Sequence, residues 1–444
     1  MAALTADELA ADASARSIDE RRRSAIKGAF WSEFIDMFDI YLPVVVLAPV
    51  LPYFQPKTSS STAVLLTSLV FITTLLGRPI GALLFGMVAD KLGRRRASIY
   101  SVSGFAVVTL LIAALPDYQH AGAASYGLLV LLRFVDGIFL GGGYTGAIPL
   151  AMEYSHKSRR GFVGGLIGGG FCAAYVTINL IAMLMFALFP FHGLHSPYAQ
   201  WGWRIPFVIG AALGAVLALY YVHKVSESEI WQTETAAKRR QPLSELLAGR
   251  SGRGLLQVLL MMTGFWLTQN MITIYLPTGL LLQALHLNGL QITSTLLIAY
   301  SLMFFSYVFS GILGQRIGRR RFFLIIGTLI ATVGAALLYL LANVNGLSMP
   351  MIILLVCALA VLVPSPWGAI LTYLNERFVT SVRATGFGVG LSLSVVIPSF
   401  YAFYLSGLGH FMPARLTPVV LLCLGAVIGV IGALMGPETR DIDF

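Results

Sequence analysis

Twelve stretches of about 20 or more mostly apolar residues run through this chain, each long enough to cross the ~30 Å hydrocarbon layer of a membrane as a helix. They lie near 27–52, 62–88, 97–116, 125–150, 161–189, 204–222, 254–284, 291–314, 322–342, 350–374, 384–408 and 416–436. Hydrocarbon offers no partner to an unsatisfied backbone N–H or C=O, so spans of this length are read as helices. Only 11% of the residues are charged, against roughly 25% in a soluble domain. The expected fold class is an all-α membrane protein.

A net charge of +10 raises the question of nucleic acid, and the placement of the bases answers it. Of 30 Lys and Arg, 25 fall in alternate inter-span segments that share one side: 16–27, 91–96, 157–160, 224–253, 316–321, 377–383 and Arg440. Only Lys57, Arg204 and Arg415 fall on the other side, and Arg78 and Arg133 lie inside spans. This asymmetry is the positive-inside signal, which puts both termini in the cytoplasm and makes the charge an orientation device. No nucleic-acid partner is expected; the bilayer is. The first 24 residues are polar, without the apolar core of a signal peptide. Cys172, Cys357 and Cys423 all lie in apolar spans without metal-ligand spacing and are read as packing residues.

Residues 223–253 form the one long polar segment between spans and divide the chain six plus six. The boundaries read from this are a tail over 1–24, a first six-helix bundle over 25–222, a linker over 223–253, a second bundle over 254–436 and a tail over 437–444. Each half repeats the same punctuation. Gly86-Met-Val-Ala-Asp90-Lys-Leu-Gly-Arg94-Arg-Arg follows span two, and Gly311-Ile-Leu-Gly-Gln315-Arg-Ile-Gly-Arg319-Arg-Arg follows span eight, 225 residues on. Glu153, seven residues before Arg160, is matched by Glu376, seven before Arg383, 223 residues on. Two motifs repeating at nearly one offset imply two bundles related by a parallel pseudo-repeat, with a site between them near the midplane. Glycines at 137, 141–143, 164, 165 and 168–170 let spans four and five approach their neighbours. Pro364, Pro366 and Pro398 break helical hydrogen bonding in spans ten and eleven.

These residues resemble the major facilitator superfamily along essentially the whole chain. The segment 86–96 matches its most specific signature. The resemblance implies a cytoplasmic latch, with Asp90 facing a helix N-terminus, a placement worth ~0.3–1 kcal/mol for an anion. It assigns gating to Gly86, Asp90, Arg94, Glu153, Arg160, Gln315, Arg319, Glu376 and Arg383, with a weaker second latch because Gln315 replaces the acid. A narrower match, carried by Asp36-Met-Phe-Asp39, Arg78-Pro-Ile-Gly, Gly202-Trp-Arg-Ile-Pro, Tyr275-Leu-Pro-Thr, Arg383-Ala-Thr-Gly and Pro437-Glu-Thr-Arg, is to the metabolite:proton symporters, which carry organic acids or small zwitterions. The chain departs from that family in having Asp136 and Gly143 where Gln and Glu are usual. Arg133 resembles a superfamily coupling arginine, and the superfamily usually acts as a monomer.

Six charged residues lie within spans, all in the first half: Glu33, Asp36, Asp39, Arg78, Arg133 and Asp136. A charge at bilayer depth is costly and marks a transport or relay function by default. At 1.5 Å per residue, Asp39, Arg78, Asp136 and Arg133 lie ~15–25 Å from the cytoplasmic ends of their spans, and Glu33 only ~9 Å, as an interfacial or gating residue. Asp36 and Asp39, three apart, share a helical face. Four carboxylates against two always-charged guanidiniums leave an excess for protons to neutralise. The expectation is a proton site at Asp36 and Asp39, Arg133 with Asp136 as a coupling pair, Glu33 grouped with these proton-coupling residues, and Arg78 shared between the Asp pair and an anionic substrate. The histidines sit in loops or at span ends. Neutral groups near the midplane complete the substrate site: Tyr144, Tyr175 and Asn179, then Gln269, Asn270, Tyr275, Tyr300, Trp367, Tyr373 and Tyr401. No phosphate-cradling loop or catalytic constellation is present, so neither a pump nor an enzyme is expected. The reading is a proton-coupled symporter of a small monocarboxylate in a bacterial inner membrane, with no cofactor beyond the coupling proton. A proton-coupled sugar or drug carrier is the alternative.

Overall fold

The computed structural model describes residues 6–55, 60–193, 195–233, 242–344 and 346–443. The expected tail over 1–24 and linker over 223–253 thus lie partly outside the described residues. Twelve long helical elements follow one another: α1 (Ala6–Leu42), α2 (Ser60–Leu92), α3 (Arg94–Ala113), α4 (Ala123–Glu153), α5 (Arg160–Leu188) and α6 (Arg204–Lys224). Then come α7 (Gly249–Asn270, continued by wider turns over Met271–Ala284), α8 (Gly289–Ile317), α9 (Arg319–Asn343), α10 (Met349–Arg377), α11 (Thr380–Leu408) and α12 (Thr417–Met435). Among the described residues there is no strand.

Among the described residues eleven helices, α2 to α12, are long and apolar enough to cross a membrane. Helix α1 runs from Ala6 to Leu42 without a break at the expected tail boundary near residue 25.

Helices α2, α3 and α4 pack on one another, as do α3 with α6 and α1 with α5, while α7 packs with α12 and α8 with α10. The two halves meet through α5 against α8 and α10, and α11 against α2 and α4. The glycines set how closely these helices approach. A Cβ added at Gly141 of α4 would stand 2.2 Å from the Arg78 carbonyl of α2. That approach is what brings the charged residues of the two helices into one cluster. In the second half the expected breaks are present: α10 turns non-helical over 363–366, and α11 is interrupted around Pro398. The Asn270 amide donates to the Pro398 carbonyl at 3.0 Å at this break.

The repeat is carried further at the basic end than the motifs announced. Gly93 and Gly318 both have positive φ, 110° and 102°, a conformation that favours glycine. Over each glycine lies a carboxylate. Glu227 accepts from the backbone N–H of Arg94 at 2.9 Å and Arg95 at 3.2 Å, and Glu438 from those of Arg319 at 2.8 Å and Arg320 at 3.1 Å. Each acid thus satisfies orphan donors at the start of α3 or α9, where the helix dipole favours negative charge. The next residue repeats too: the Ser228 hydroxyl donates to Glu153, and the Thr439 hydroxyl to Glu376 at 2.7 Å.

A Gly93→Ala variant meets both constraints at once, since its Cβ would fall 2.1 Å from Glu227 Oε2 and its φ is strained. It is expected to lose about 1–3 kcal/mol of stability, read as a lower melting temperature of the purified protein. Gly127→Ala, whose Cβ meets nothing within 4 Å, is expected to be neutral or stabilising.

Candidate functional site

Helix α1 has two charged or cavity-facing rows. Glu33, Met37 and Tyr41, spaced by four, form one row and line a small cavity between the halves. Asp36 and Asp39 form the other and turn toward α2 and α4. Asp36 Oδ2 accepts from Arg78 Nη2 at 2.7 Å. Asp39 does not share Arg78, as expected from the sequence; its Oδ2 accepts from Arg133 Nη1 at 2.7 Å. The same nitrogen donates to Asp136 Oδ2 at 2.8 Å. The expected Asp36 and Asp39 pair is therefore split between two arginines, because three residues of helix turn the side chains toward different neighbours.

All five groups are buried, at 3% exposure or less. The Arg78–Asp36 pair matches one cation to one anion. Arg133 instead serves two carboxylates from a single nitrogen, and its Nε and Nη2 find no partner, nor do Asp39 Oδ1 and Asp136 Oδ1. The Arg78 guanidinium lies over the Tyr144 ring, 4.9 Å from its centroid. The Tyr144 hydroxyl in turn hydrogen-bonds with the Ser392 hydroxyl of α11. The charge cluster of the first half is thereby tied to the second.

Glu33 is the larger correction. It is not an interfacial residue but 94% buried, and it lines the central cavity. Among the described residues no cation pairs with its carboxylate, although Arg78 and Asp36 act on it electrostatically. Phe171 completes the first-half wall with Met37 and Tyr41, and Trp266, Gln269, Tyr307 and Trp367 form the opposite one. The cavity is closed down to about 30 Å³, roughly the share of one liquid water. Wider grooves exist at the basic surface, one of about 780 Å³ beside Arg377 and Pro437. They are open and lie away from the buried charges.

Of the neutral candidates, Gln269 and Trp367 face the cavity. Tyr175 and Tyr300 stack across the halves at 3.9 Å, nearly parallel. Asn179 donates to the Tyr175 carbonyl of its own helix at 2.8 Å. Tyr373 is not near the midplane: its hydroxyl donates to Gln257 at 3.2 Å near the basic end. Tyr275 lies against Gly279 of its own helix, and Tyr401 does not line the cavity. Sequence reasoning missed Met37 and Tyr41, which the four-residue spacing from Glu33 signals. It also missed Phe171, Trp266, Tyr307 and Ser392, which no spacing separates from packing residues.

At the basic end the expected gating residues come together. Asp90 accepts from the backbone N–H of Ala384 at 3.2 Å and of Thr385 at 2.9 Å, and from the Thr385 hydroxyl at 2.6 Å. It thus sits on the N-terminal turn of the α11 helix from the other half. Gly86 permits the approach, since a Cβ there would meet Thr385 Cα at 2.7 Å. Arg94 donates to the Thr380 carbonyl at 2.8 Å, and Glu153 bridges Arg94 at 3.4 Å and Arg383 at 2.7 Å. In the second copy Arg319 makes two bonds of 3.2 Å to Glu376. Gln315 accepts across the halves from the Gly161 N–H at 3.2 Å, and the Arg160 carbonyl accepts from Thr372 at 3.0 Å. Charged acceptors bind about twice as strongly as neutral ones, so the Asp90 latch outweighs that of Gln315.

An Asp90→Asn variant keeps one acceptor oxygen and loses the charge. It is expected to weaken closure by about 1.5–3 kcal/mol, read as faster hydrogen exchange of the Ala384–Phe387 amides. Gln315→Leu is expected to have a smaller effect at Gly161.

The model of the Major Facilitator Superfamily matches residues 29–402. The chain is 32% identical over 396 residues to the alpha-ketoglutarate permease of Escherichia coli, covering 87% of this chain and 86% of that one. It is 27% identical over 436 residues to the proline/betaine transporter of Salmonella typhimurium, covering 95% and 85%. Among solved structures, the proton:xylose symporter XylE superposes with a TM-score of 0.74 at 16% identity, over 94% of this chain and 95% of that one.

Proposed function

The chain belongs to the Major Facilitator Superfamily, a multi-pass membrane transporter and not an enzyme, and on that premise we propose that it is a proton-coupled symporter of a small carboxylate-bearing metabolite. It works by alternating access in a bacterial cytoplasmic membrane with both termini inside, the side that the excess of Lys and Arg marks. The observation that carries the reading is the pairing of two buried carboxylates, Asp39 and Asp136, with one guanidinium nitrogen of Arg133. One arginine balances one carboxylate, and a second, uncompensated charge in such a place is costly. A proton shared by the Asp39 and Asp136 pair removes that cost, and no other group need supply it.

Arg78 is the group that recognises the substrate carboxylate. In this conformation it is held by Asp36 at 2.7 Å. A proton entering from the outside through the Asp39 and Asp136 pair and passed to Asp36 releases the guanidinium, which then takes the substrate carboxylate as a charge-assisted pair. Release of substrate and proton inside restores the Arg78–Asp36 bond. Tyr144, between Arg78 and Ser392, carries the rearrangement to the second half. The relatives named for carboxylate-bearing solutes, alpha-ketoglutarate, proline and betaine, support this class over an uncharged sugar. The likeness to XylE concerns the fold.

The test is uptake by proteoliposomes under an inward proton gradient, using a panel of labelled small carboxylates. Asp39→Asn is expected to lower gradient-driven accumulation at least about tenfold, the effect of ~1.4 kcal/mol, while substrate exchange at equal pH continues. Accumulation at the unmodified level would refute the proton site. Arg78→Lys is expected to raise the apparent KM for the carboxylate, and an unchanged value would refute its role as ligand.

A further inference from the structure

We propose that Tyr175 and Tyr300 are the outer gate of the carrier: their ring stack closes the central cavity from the outside, and it must part before a substrate enters. This rests on the reading that the protein works by alternating access. It gives the two tyrosines a gating role instead of the ligand role expected from the sequence. Their position follows from the directions of their helices. Helix α5 starts at the basic end, and Tyr175 lies about one turn beyond Phe171, which lines the cavity. Helix α8 runs the opposite way and finishes at the basic end, so Tyr300 lies about two turns outside Tyr307 of the cavity wall. The pair therefore stands on the outer side of the cavity, away from the latch built on Asp90 and Glu153. Both rings are buried, Tyr300 at 1% exposure.

The seam between α5 and α8 changes character along its length. Toward the basic end backbone meets backbone: a Cβ added at Gly161 would stand 2.2 Å from the Gly311 carbonyl oxygen, and one at Gly165 2.5 Å from that of Tyr307. At the outer end two flat rings from opposite halves meet face to face, 3.9 Å apart and 5° from parallel. Flat faces do not interlock, so they separate without a neighbour giving way, and the seam can part here while its glycine stretch stays shut. Tyr41 of the cavity wall meets the Tyr175 ring edge-on at 5.1 Å, which holds that ring in place from below. A second observation separates a gate from ordinary packing. The Tyr300 hydroxyl is buried with no hydrogen-bond partner among the described residues, a cost carried only while the stack is closed. Once the halves part, water reaches this hydroxyl and the cost disappears. Ring contact favours closure and the orphan hydroxyl favours opening, so the pair is balanced between two states.

The experiment uses Cys172, fully buried three residues before Tyr175, as a reporter in the full-length protein, with Cys357→Ser and Cys423→Ser removing the other two thiols. Intact cells are treated from outside with a membrane-impermeant maleimide, and labelling is followed on the purified protein. Tyr175→Ala and Tyr300→Ala are each expected to label at least about tenfold faster, ~1.4 kcal/mol in the opening equilibrium. The double variant is expected to gain little over either single one, since both remove the same contact. Tyr300→Leu keeps bulk without a flat face and is expected to label as fast as Tyr300→Ala. Tyr300→Phe keeps the face and removes the orphan hydroxyl. It is expected to label no faster than the unmodified protein and to leave the apparent KM for carboxylate uptake unchanged. Melting temperatures separate an opened gate from lost folding, and the Leu and Phe pair carries the test where an alanine variant fails to fold. Unchanged labelling on loss of the flat face, or fast labelling in Tyr300→Phe, overturns the gate. A raised KM in Tyr300→Phe makes the residue a ligand and overturns it too. Labelling needs no substrate, so uptake by the unmodified protein tests the parent reading separately: no gradient-driven uptake of any carboxylate refutes the symport reading and not the gate.

Discussion

The cost of holding charge away from water organises this protein. Four carboxylates and two guanidiniums are buried within the expected spans of the first half, and each must find a partner or a proton, because a lone buried ion is worth several kcal/mol of instability. Arg78 takes Asp36, and Arg133 takes Asp39 and Asp136. The partners come from α1, α2 and α4, so the ion pairs double as the fasteners between those helices. The close approach of α2 and α4 at Gly141 makes the cluster possible. What the pairing leaves over, one carboxylate too many at Arg133 and an unpartnered Glu33 in the cavity, is where ligands and protons have something to gain.

The same economy governs the basic end. There Asp90 faces backbone donors of the opposite half at the start of α11, and Glu153 lies between Arg94 of its own half and Arg383 of the other. The second copy repeats the geometry with a neutral Gln315, so one interface is closed by charge and the other by weaker dipoles. Glu227 and Glu438 hold the glycine turns that start α3 and α9. A pseudo-symmetric scaffold thus carries an asymmetric gate and an asymmetric site, with charge in one half and neutral or aromatic groups in the other.

Much of the fold was legible because its determinants are local. Span length, the basic residues on alternate loops and the repeated signature at 86–96 and 311–321 each reflect a constraint that acts within a few residues. The breaks at Pro364–Pro366 and Pro398 were legible for the same reason. Glu227 and Glu438 were harder, since a single acid after the sixth span of each half has meaning only when the turn it covers is seen.

The sequence by itself determined that the chain is helical, duplicated and membrane-embedded, and that charge within the spans is confined to its first half. It could list the charged residues but not pair them. Only the tertiary structure decided that Asp36 and Asp39 serve different arginines, that Glu33 faces the cavity, and that Asn270 and Tyr373 support the second half from within. The reason is geometric: on a helix, residues three and four apart share a face yet diverge by tens of degrees. Which neighbour each side chain meets therefore depends on how the helices are rotated against one another, and that is set by packing across the whole bundle.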